Sequence, residues 1–475
     1  MKAMGDKTDK LKALSAQLGL KTGAEITAPA VRPPREEEST SPRPRVASAD
    51  GAPSLDGLRA KLGLMTGTEL AQERVVEYDK SALGDYEIDR ILPGELRGDA
   101  EEGTFFLVRR DYPLDYAQGV VPLGSALEID AKKIAFSASD AELGGFDPRK
   151  ALFIDTETTG LSGGAGTVAF LIGFGYFHGD VFRLDQCFMR DYDEEEPMLR
   201  FLGKLARDFD TLVSYNGKSF DLPLLRTRFI QNRIPCSMEG LLHYDLVHAA
   251  RRFWRRRLQD CSLGNIEREV LGVRRVGDVP SHLIPQMYFD YLSSRDARPL
   301  EGVFYHHRMD ILSLASLTGW ISRCLTTPDG FEHAEDRLSI VRMHFRQKTY
   351  AEVTTLGRVF LECGEGEALR RECLEMVGMA HKRLQQWEDM RAAFENLLQE
   401  FPTDITARLE LAKLHEHRTR DLGEARRLCE EGLQHYYTQL ALDRATDLGE
   451  AVAAALQERL ARIKRKLERG GELLG

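Results

Sequence analysis

Cysteine is scarce in this 475-residue chain and follows no regular spacing. The seven cysteines are odd in number, and no two of them stand in a CxxC pair or in a Cys/His ligand spacing. Disulfide frameworks and zinc sites need such paired spacings. The pattern therefore argues against both kinds of site, and we expect reduced cysteines that lie in the core.

Long hydrophobic runs and an excess of positive charge are also missing. The longest apolar run, residues 167–177, is interrupted by glycines and is too short to span a bilayer, and the N-terminus has no signal-peptide core. The net charge of −10 argues against a protein that coats nucleic acid nonspecifically, but it leaves room for a local basic track. We therefore expect a cytoplasmic protein without membrane contact.

Residues 1–76 offer little that could form a core. Residues 28–54 are rich in Pro, Ser, Ala and charge, which predicts a disordered linker. A duplicated segment with leucines at three- and four-residue steps lies on either side of it, at 11–26 and 55–70, and each copy predicts a short amphipathic helix. A docking motif for a protein partner and a helix that packs on its own domain are both compatible with this pattern.

The remaining chain divides into three predicted parts. Residues 77–148 alternate apolar and polar stretches with Gly and Pro, which indicates a β-rich lead-in. Residues 149–330 combine strand and helix patterns, which predicts an α/β domain with a mixed sheet flanked by helices. Residues 336–475 are predicted all-helical and fit a degenerate tetratricopeptide pattern. Such helical arrays either bind a protein partner or cover one side of an enzyme.

Four acidic residues fall where predicted strands and helices would bring them to one site. Asp155 and Glu157 are two apart on a predicted strand, so both side chains leave the same face and need a cation between them. Asp221 begins a predicted helix and is equally explained as its N-cap. Asp310 follows His306 by four residues on a long predicted helix, so these two share one helix face.

A basic segment, residues 248–260, offers the best contacts for nucleic acid. Arginines can bind phosphates, and the intervening Phe253 and Trp254 can stack on unpaired bases. An amphipathic helix with buried aromatics and solvated arginines would show the same pattern. The candidate phosphate contacts are Arg251, Arg252 and Arg255, in a segment that also contains Arg256 and Arg257.

The order of the acids, DxE, then D, then HxxxD, resembles the DnaQ-like or DEDD exonuclease superfamily, which has a ribonuclease-H-like fold. Within it the bacterial YprB-like group is most similar, through FIDTETTGLSGGAGT, LVSYNGKSFDLP, the stretch from HYDLVHAARRFW to CSLGNIEREVLG, and HHRMDILSL. The resemblance spans approximately residues 112–317. It includes neither the N-terminal repeats nor the C-terminal helices.

The resemblance implies a 3′ to 5′ exonuclease that hydrolyses single-stranded ends of DNA or RNA with two Mg²⁺ or Mn²⁺ ions. Asp155 would bridge both ions, and the other metal ligands would be Glu157, Asp221 and Asp310. Two such ions activate water and stabilise the departing oxyanion.

The same resemblance implies contacts to the substrate. Thr156, Thr158 and Thr159 would lie beside the terminal nucleotide, and Asn216 would orient the site. Independently of the resemblance, the positive charge of Lys218 makes it a candidate phosphate contact. A phosphate-binding loop is rejected, because Leu212 stands where that motif needs glycine.

The general base departs from the common superfamily patterns, YxxxD and HxxxxD. This chain has His306 at the tyrosine spacing and Tyr305 at the longer histidine spacing. We favour His306 because the YprB-like pattern has HNxxD here and a neutral imidazole accepts a proton near neutral pH. Tyr305 and His307 are the alternatives.

Two other functions compete with an exonuclease. The first is a nucleic-acid-binding scaffold with an inactive nuclease fold, and the complete set of acids counts against it. The second is a structure-specific endonuclease, which would share the ions without needing a free end.

Overall fold

The computed structural model describes residues 86–99, 103–160, 166–327, 331–364, 366–444 and 446–472, which belong to one compact unit, Asp79–Gly475. The N-terminal repeats at 11–26 and 55–70, the linker between them and loop residues 161–165 lie outside the described residues.

The strands in the described residues follow the segments of alternating or continuous apolar character. They are β1 Glu95–Asp99, β2 Gly103–Pro113, β3 Ala117–Gln118, β4 Val121–Pro122, β5 Ala151–Thr158, β6 Ala169–His178, β7 Val181–Phe188, β8 Thr211–Ser214 and β9 Leu242–Asp245.

The main sheet has seven strands in the order β1-β2-β7-β6-β5-β8-β9. Neighbouring strands in the series β1, β2, β7, β6 and β5 are antiparallel, whereas β5, β8 and β9 are parallel to one another. Strands β1 and β2 come from the predicted lead-in segment but are part of this same sheet. A register shift between Glu157 and Thr158 marks a bulge at the end of β5, a distortion common beside active sites.

Helices follow the segments with apolar residues at three- and four-residue steps. They are α1 Ile88–Ile91, α2 Ala131–Ala138, α3 Glu195–Leu205, α4 Asp221–Gln231, α5 Leu246–Leu258, α6 Leu263–Ile266, α7 Ile284–Ser294, α8 Leu300–Thr326, α9 Ala334–Arg346, α10 Tyr350–Glu362, α11 Glu367–Arg383, α12 Trp387–Glu400, α13 Ile405–Leu414, α14 Leu422–Ala441 and α15 Asp447–Glu472.

Helices cover both faces of the sheet because alternate residues of β5 are buried on opposite sides. Leu152 and Ile154 pack in one core with α3, α4 and α7. Phe153 packs in a second core with α5 and most of α8. Asp155 and Glu157 continue the Phe153 side of β5, which is the side on which α8 lies.

The C-terminal helices pack against their sequence neighbours, starting from α9. Helix α9 joins the two regions, because Ile340 and Met343 lie in the sheet-side core while Leu338 and Val341 pack with α10 and α11. The structure confirms the predicted mixed sheet flanked by helices and the all-helical C-terminal region. Among the described residues, no helix combines the length and apolar character of a membrane span.

Candidate metal centre and active site

The close approach of α8 to the sheet creates the site. Asp155 pairs with Gly173 on β6, and a Cβ added at Gly173 would lie 2.3 Å from His307 Cε1. Because Gly173 has no side chain, α8 can lie this close to β6. His306 and Asp310, on the same helix, are therefore held beside the end of β5.

Three of the expected site residues form a group able to hold a metal ion. Ligand atoms of Glu157, His306 and Asp310 all lie within 4.8 Å of one another. His306 and Asp310 share a face of α8, and His306 Nε2 lies 3.5 Å from Asp310 Oδ2. The group thus joins a β5 carboxylate to two side chains of one helix.

Asp155 and Asp221 stand next to this group. Burial, together with the charges of Asp310, Asp221 and Glu157, raises the pKa of Asp155 well above its ordinary range. Burial and the charges of Asp310 and Asp221 raise the pKa of Glu157 in the same way. The four acids are therefore close enough for each charge to affect its neighbours.

Asp221 reaches the site from the opposite side of β5. It is the first residue of α4, and its Oδ1 accepts a 2.5 Å hydrogen bond from Thr156 Oγ1. Burial raises the pKa of Asp221 to about 6, although the Thr156 hydrogen bond acts in the other direction.

These donors fit a hard divalent cation. Buried carboxylates that repel one another need a cation or protons, and Mg²⁺, Mn²⁺ and similar ions take oxygen ligands. An imidazole beside them is also an acceptable ligand or a base.

His306 is oriented by its hydrogen bonds. Its Nδ1 lies 2.8 Å from Asp278 Oδ1 and 3.3 Å from Arg275 Nη1. Its Nε2 lies 3.2 Å from Ser281 Oγ and 3.5 Å from Asp310 Oδ2. In the tautomer that donates from Nδ1 to Asp278, Nε2 is a proton acceptor on the Asp310 side of the ring.

The two alternative bases have other surroundings. His307 is fully buried, with Nε2 3.1 Å from the Asp155 carbonyl oxygen and Nδ1 3.2 Å from Gln186 Nε2, and burial lowers its pKa to about 4. The hydroxyl of Tyr305 accepts a 3.3 Å hydrogen bond from the Val276 backbone N–H. Neither residue belongs to the group of metal-ligand atoms.

Sequence reasoning missed a cation in this site. Arg275 forms ion pairs with Asp310, with Glu267 at 2.6 Å and with Asp278 at 3.3 Å. It lies in the irregular stretch between α6 and α7, where no helix or strand period marks it. The only signal was its spacing of three residues from Asp278, which is too common to carry a prediction.

Several of the expected substrate contacts form hydrogen bonds within the protein. The Thr158 hydroxyl donates to the Gly160 carbonyl oxygen at 3.0 Å, and the Thr159 hydroxyl accepts from the Val168 N–H at 3.0 Å. The backbone N–H groups of Asn216 and Lys218 donate to Asp245 at 2.7 and 3.0 Å. Asp245, which also caps α5, thus shapes the loop before Asp221.

The basic segment forms α5, and its aromatics belong to the core. Phe253 and Trp254 are each 1% exposed, so they do not stack on bases. Arg252 donates to the Ser137 carbonyl oxygen at 2.7 Å. Arg251 and Arg255 are exposed and form no ion pair within the described part of the chain.

Arg256 and Arg257 point to the C-terminal helices instead. Arg256 pairs with Glu372 at 3.0 Å, and Arg257 pairs with Asp336 at 2.8 Å. These two arginines connect the sheet-containing part of the chain to the helical region.

A polar cleft of about 1070 Å³ opens beside the carboxylates. Its walls come from residues 260–281 and from His306 and Asp310. The exposed side chains of Arg268 and Arg274 add positive charge to it.

Comparison with known proteins agrees with the geometry. The sequence profile of the RNase H superfamily matches residues 152–322, which run from β5 to α8. The chain is also 31% identical over 379 residues to the uncharacterized protein YprB of Bacillus subtilis (strain 168), and the alignment covers 77% of the chain and 87% of YprB. The chain therefore belongs to the same family as YprB and contains an RNase H superfamily domain.

Proposed function

We propose that this protein is a metal-dependent 3′ to 5′ exonuclease that hydrolyses single-stranded nucleic acid ends with two Mg²⁺ or Mn²⁺ ions. The observation that carries the proposal is the group of Glu157, His306 and Asp310 ligand atoms within 4.8 Å, beside two further buried carboxylates. The superfamily domain in which they lie supports nuclease chemistry.

Each residue has a role that its surroundings support. The carboxylates that would hold the ions are those of Asp155, Glu157, Asp221 and Asp310. The bound cations would supply an activated water and neutralise charge on the phosphate. His306 would accept the water's proton at Nε2, while Asp278 keeps the other ring proton on Nδ1.

The substrate would be held by positive charge around the carboxylates. Arg251 and Arg255 are free to bind phosphates, and Lys218 lies on the loop before Asp221. Arg252, whose guanidinium already donates to Ser137, would contribute through its remaining donors. The backbone of the Thr156–Thr159 segment would face the terminal nucleotide.

Labelled oligonucleotides test the activity directly. Single-stranded DNA and RNA carrying a 5′ label should shorten stepwise from the 3′ end when Mg²⁺ or Mn²⁺ is present. Asp155→Asn and Asp310→Asn should remove this activity, whereas Asp180→Asn, in the exposed β6–β7 turn, should not. Full activity in the two site variants would refute the assignment.

A circular single strand separates exonuclease from endonuclease. An enzyme that needs a free end leaves the circle intact while it degrades the linear strand of the same sequence. Cutting of the circle would replace the exonuclease proposal with an endonuclease.

Substitution of the three base candidates identifies the proton acceptor. His306→Asn should lower kcat strongly, because it removes the accepting nitrogen. Tyr305→Phe should leave kcat nearly unchanged. His307→Gln should act mainly on stability, because His307 bridges buried groups of two strands.

We further propose that helices α10–α15 form tetratricopeptide-like repeats that bind a protein partner. Pull-down with the full-length protein and with variants substituted on the surface of these helices tests for the partner.

A further inference from the structure

Arg275 uses every N–H that its guanidinium has. Nε donates to Glu267 Oε2 at 2.6 Å, and Nη2 donates to Glu267 Oε1 and to Asp310 Oδ1. Nη1 lies 3.3 Å from Asp278 Oδ2, 3.3 Å from His306 Nδ1 and 3.4 Å from the His306 carbonyl oxygen. Each nitrogen of the guanidinium thus has at least one acceptor for every N–H that it carries. None is left over for a phosphate, so Arg275 acts on the site through its neighbours.

A buried chain of hydrogen bonds through Glu267, Ser313 and Gln118 fixes the position of the Arg275 guanidinium. Glu267 is 1% exposed and also accepts from the Ser313 hydroxyl on α8. Ser313 in turn accepts from Gln118 Nε2 at 2.9 Å, and Gln118 is also 1% exposed. A bidentate carboxylate pair fixes a guanidinium in its plane, so Arg275 cannot turn away from Asp310 without breaking the pair.

The contact engages one carboxylate oxygen of Asp310 and leaves the other without an arginine partner. Oδ1 is engaged by Arg275, while Oδ2 lies on the His306 side, 3.5 Å from Nε2. Mg²⁺ takes six ligands in a compact octahedron and uses carboxylates through one oxygen. Ca²⁺ is larger and takes six to eight ligands, often with both oxygens of a carboxylate.

We propose that Arg275 is a positioning residue that makes Asp310 a monodentate ligand and so biases the metal centre towards small octahedral ions and against Ca²⁺. This inference rests on the metal centre of the proposed function. It adds a basis for ion selectivity that depends on Arg275 and its Glu267 anchor.

Calorimetric titration of the full-length protein with Mn²⁺ and with Ca²⁺ tests the inference without any nuclease assay. Loss of a positive charge should tighten the binding of both ions, so the ratio of the two dissociation constants is the diagnostic quantity. In Arg275→Gln the ratio of Ca²⁺ to Mn²⁺ dissociation constants should fall about tenfold, because Asp310 gains its second oxygen.

Arg268→Gln is the matched control. Arg268 lines the same cleft and carries the same charge, but its side chain is 63% exposed and contacts Glu269 and Asn265 rather than a site carboxylate. Its ratio should equal that of the wild type. An unchanged ratio in Arg275→Gln, or an equal fall in Arg268→Gln, would overturn the inference.

A double variant covers the case in which Arg275→Gln does not fold. Glu267→Gln combined with Arg275→Gln leaves no charge of this pair buried alone and still frees Asp310 Oδ1, so the same fall in the ratio is expected. A wild-type protein that binds no Mn²⁺ would overturn the metal centre and the inference together. Mn²⁺ binding with a constant ratio in the double variant would overturn the inference alone.

Discussion

Buried carboxylates dominate the chemistry of the site at the scale of single residues. Asp155, Glu157 and Asp221 all have raised pKa values, and burial is the largest cause for each. Ionised neighbours in a poorly solvated place cost stability, which a bound cation recovers. The charges that would bind a metal ion therefore weaken the metal-free fold.

Asp221→Asn should stabilise the metal-free protein at neutral pH. The folded pKa of about 6 lies above the ordinary value of 3.8, so the folded state holds more protons than the unfolded state between these values. Stability contributed by this group is present at low pH and is lost as pH rises towards 6. At pH 7.5 the variant should gain at least ~1 kcal/mol in urea unfolding, since one pKa unit corresponds to about 1.4 kcal/mol.

The advantage of Asp221→Asn should vanish near pH 4, where the wild-type carboxyl is protonated in the folded state. Asp180→Asn, at an exposed position, should show no such pH-dependent difference. A variant less stable than wild type at pH 7.5 without metal would contradict the expectation.

The packing of α8 on β6 decides the site at the scale of secondary-structure elements. Strand β6 has glycine at 173 and 175, and Cβ atoms there would lie 2.3 Å from His307 Cε1 and 2.9 Å from Ile311 Cγ2, both on α8. Side chains at these positions would move the helix that carries His306 and Asp310 away from β5. The two glycines therefore determine how closely α8 approaches β5.

Gly173→Ala should lower both stability and activity. Its methyl group would overlap His307 and Ile311, and such overpacking costs about 1–3 kcal/mol. Urea unfolding and the oligonucleotide assay measure the two effects. Gly144→Ala adds a methyl group in open space and should change neither quantity. Wild-type activity in Gly173→Ala would show that the site tolerates a shift of α8.

At the scale of the whole molecule, the arginines of α5 fall into two groups with different surroundings. Arg256 and Arg257 bind acidic residues of the C-terminal helices, while Arg251 and Arg255 face solvent. The connection between the nuclease-like part and the helical region thus uses the same helix as the candidate nucleic acid contact. The proposed substrate contacts therefore lie on the same helix as the ion pairs that hold the C-terminal helices.

Arg257→Ala should lower the stability of the protein, whereas Arg255→Ala should weaken its binding to nucleic acid. Arg257→Ala leaves the Asp336 side chain, 3% exposed, without its ion-pair partner, and such a loss costs roughly 3 kcal/mol. Arg255→Ala should leave stability within about 0.5 kcal/mol and weaken nucleic acid binding, with a salt slope reduced by about one. Urea unfolding and fluorescence anisotropy at several salt concentrations measure these effects. Equal salt slopes for Arg255→Ala and wild type would remove Arg255 from the substrate contact.

Local periodicity in the sequence predicted the secondary structure and part of the candidate site. The two-residue period of a strand placed Asp155 and Glu157 on one face of β5, and the helical period placed His306 and Asp310 on one face of α8. The mixed sheet and the all-helical C-terminal region followed from the same periods. These features depend on neighbours a few residues away, which the sequence displays directly.

Only the tertiary structure decided which residues surround the acids. Arg275, Glu267 and Asp278 lie in stretches with little periodicity, and their contacts to α8 join residues 28 to 46 positions apart. Sequence spacing left three candidate bases open, whereas burial and hydrogen bonds distinguish the surroundings of His306 from those of His307. The division of the α5 arginines likewise depends on where distant helices pack. Such long-range contacts arise from folding and leave no local pattern to read.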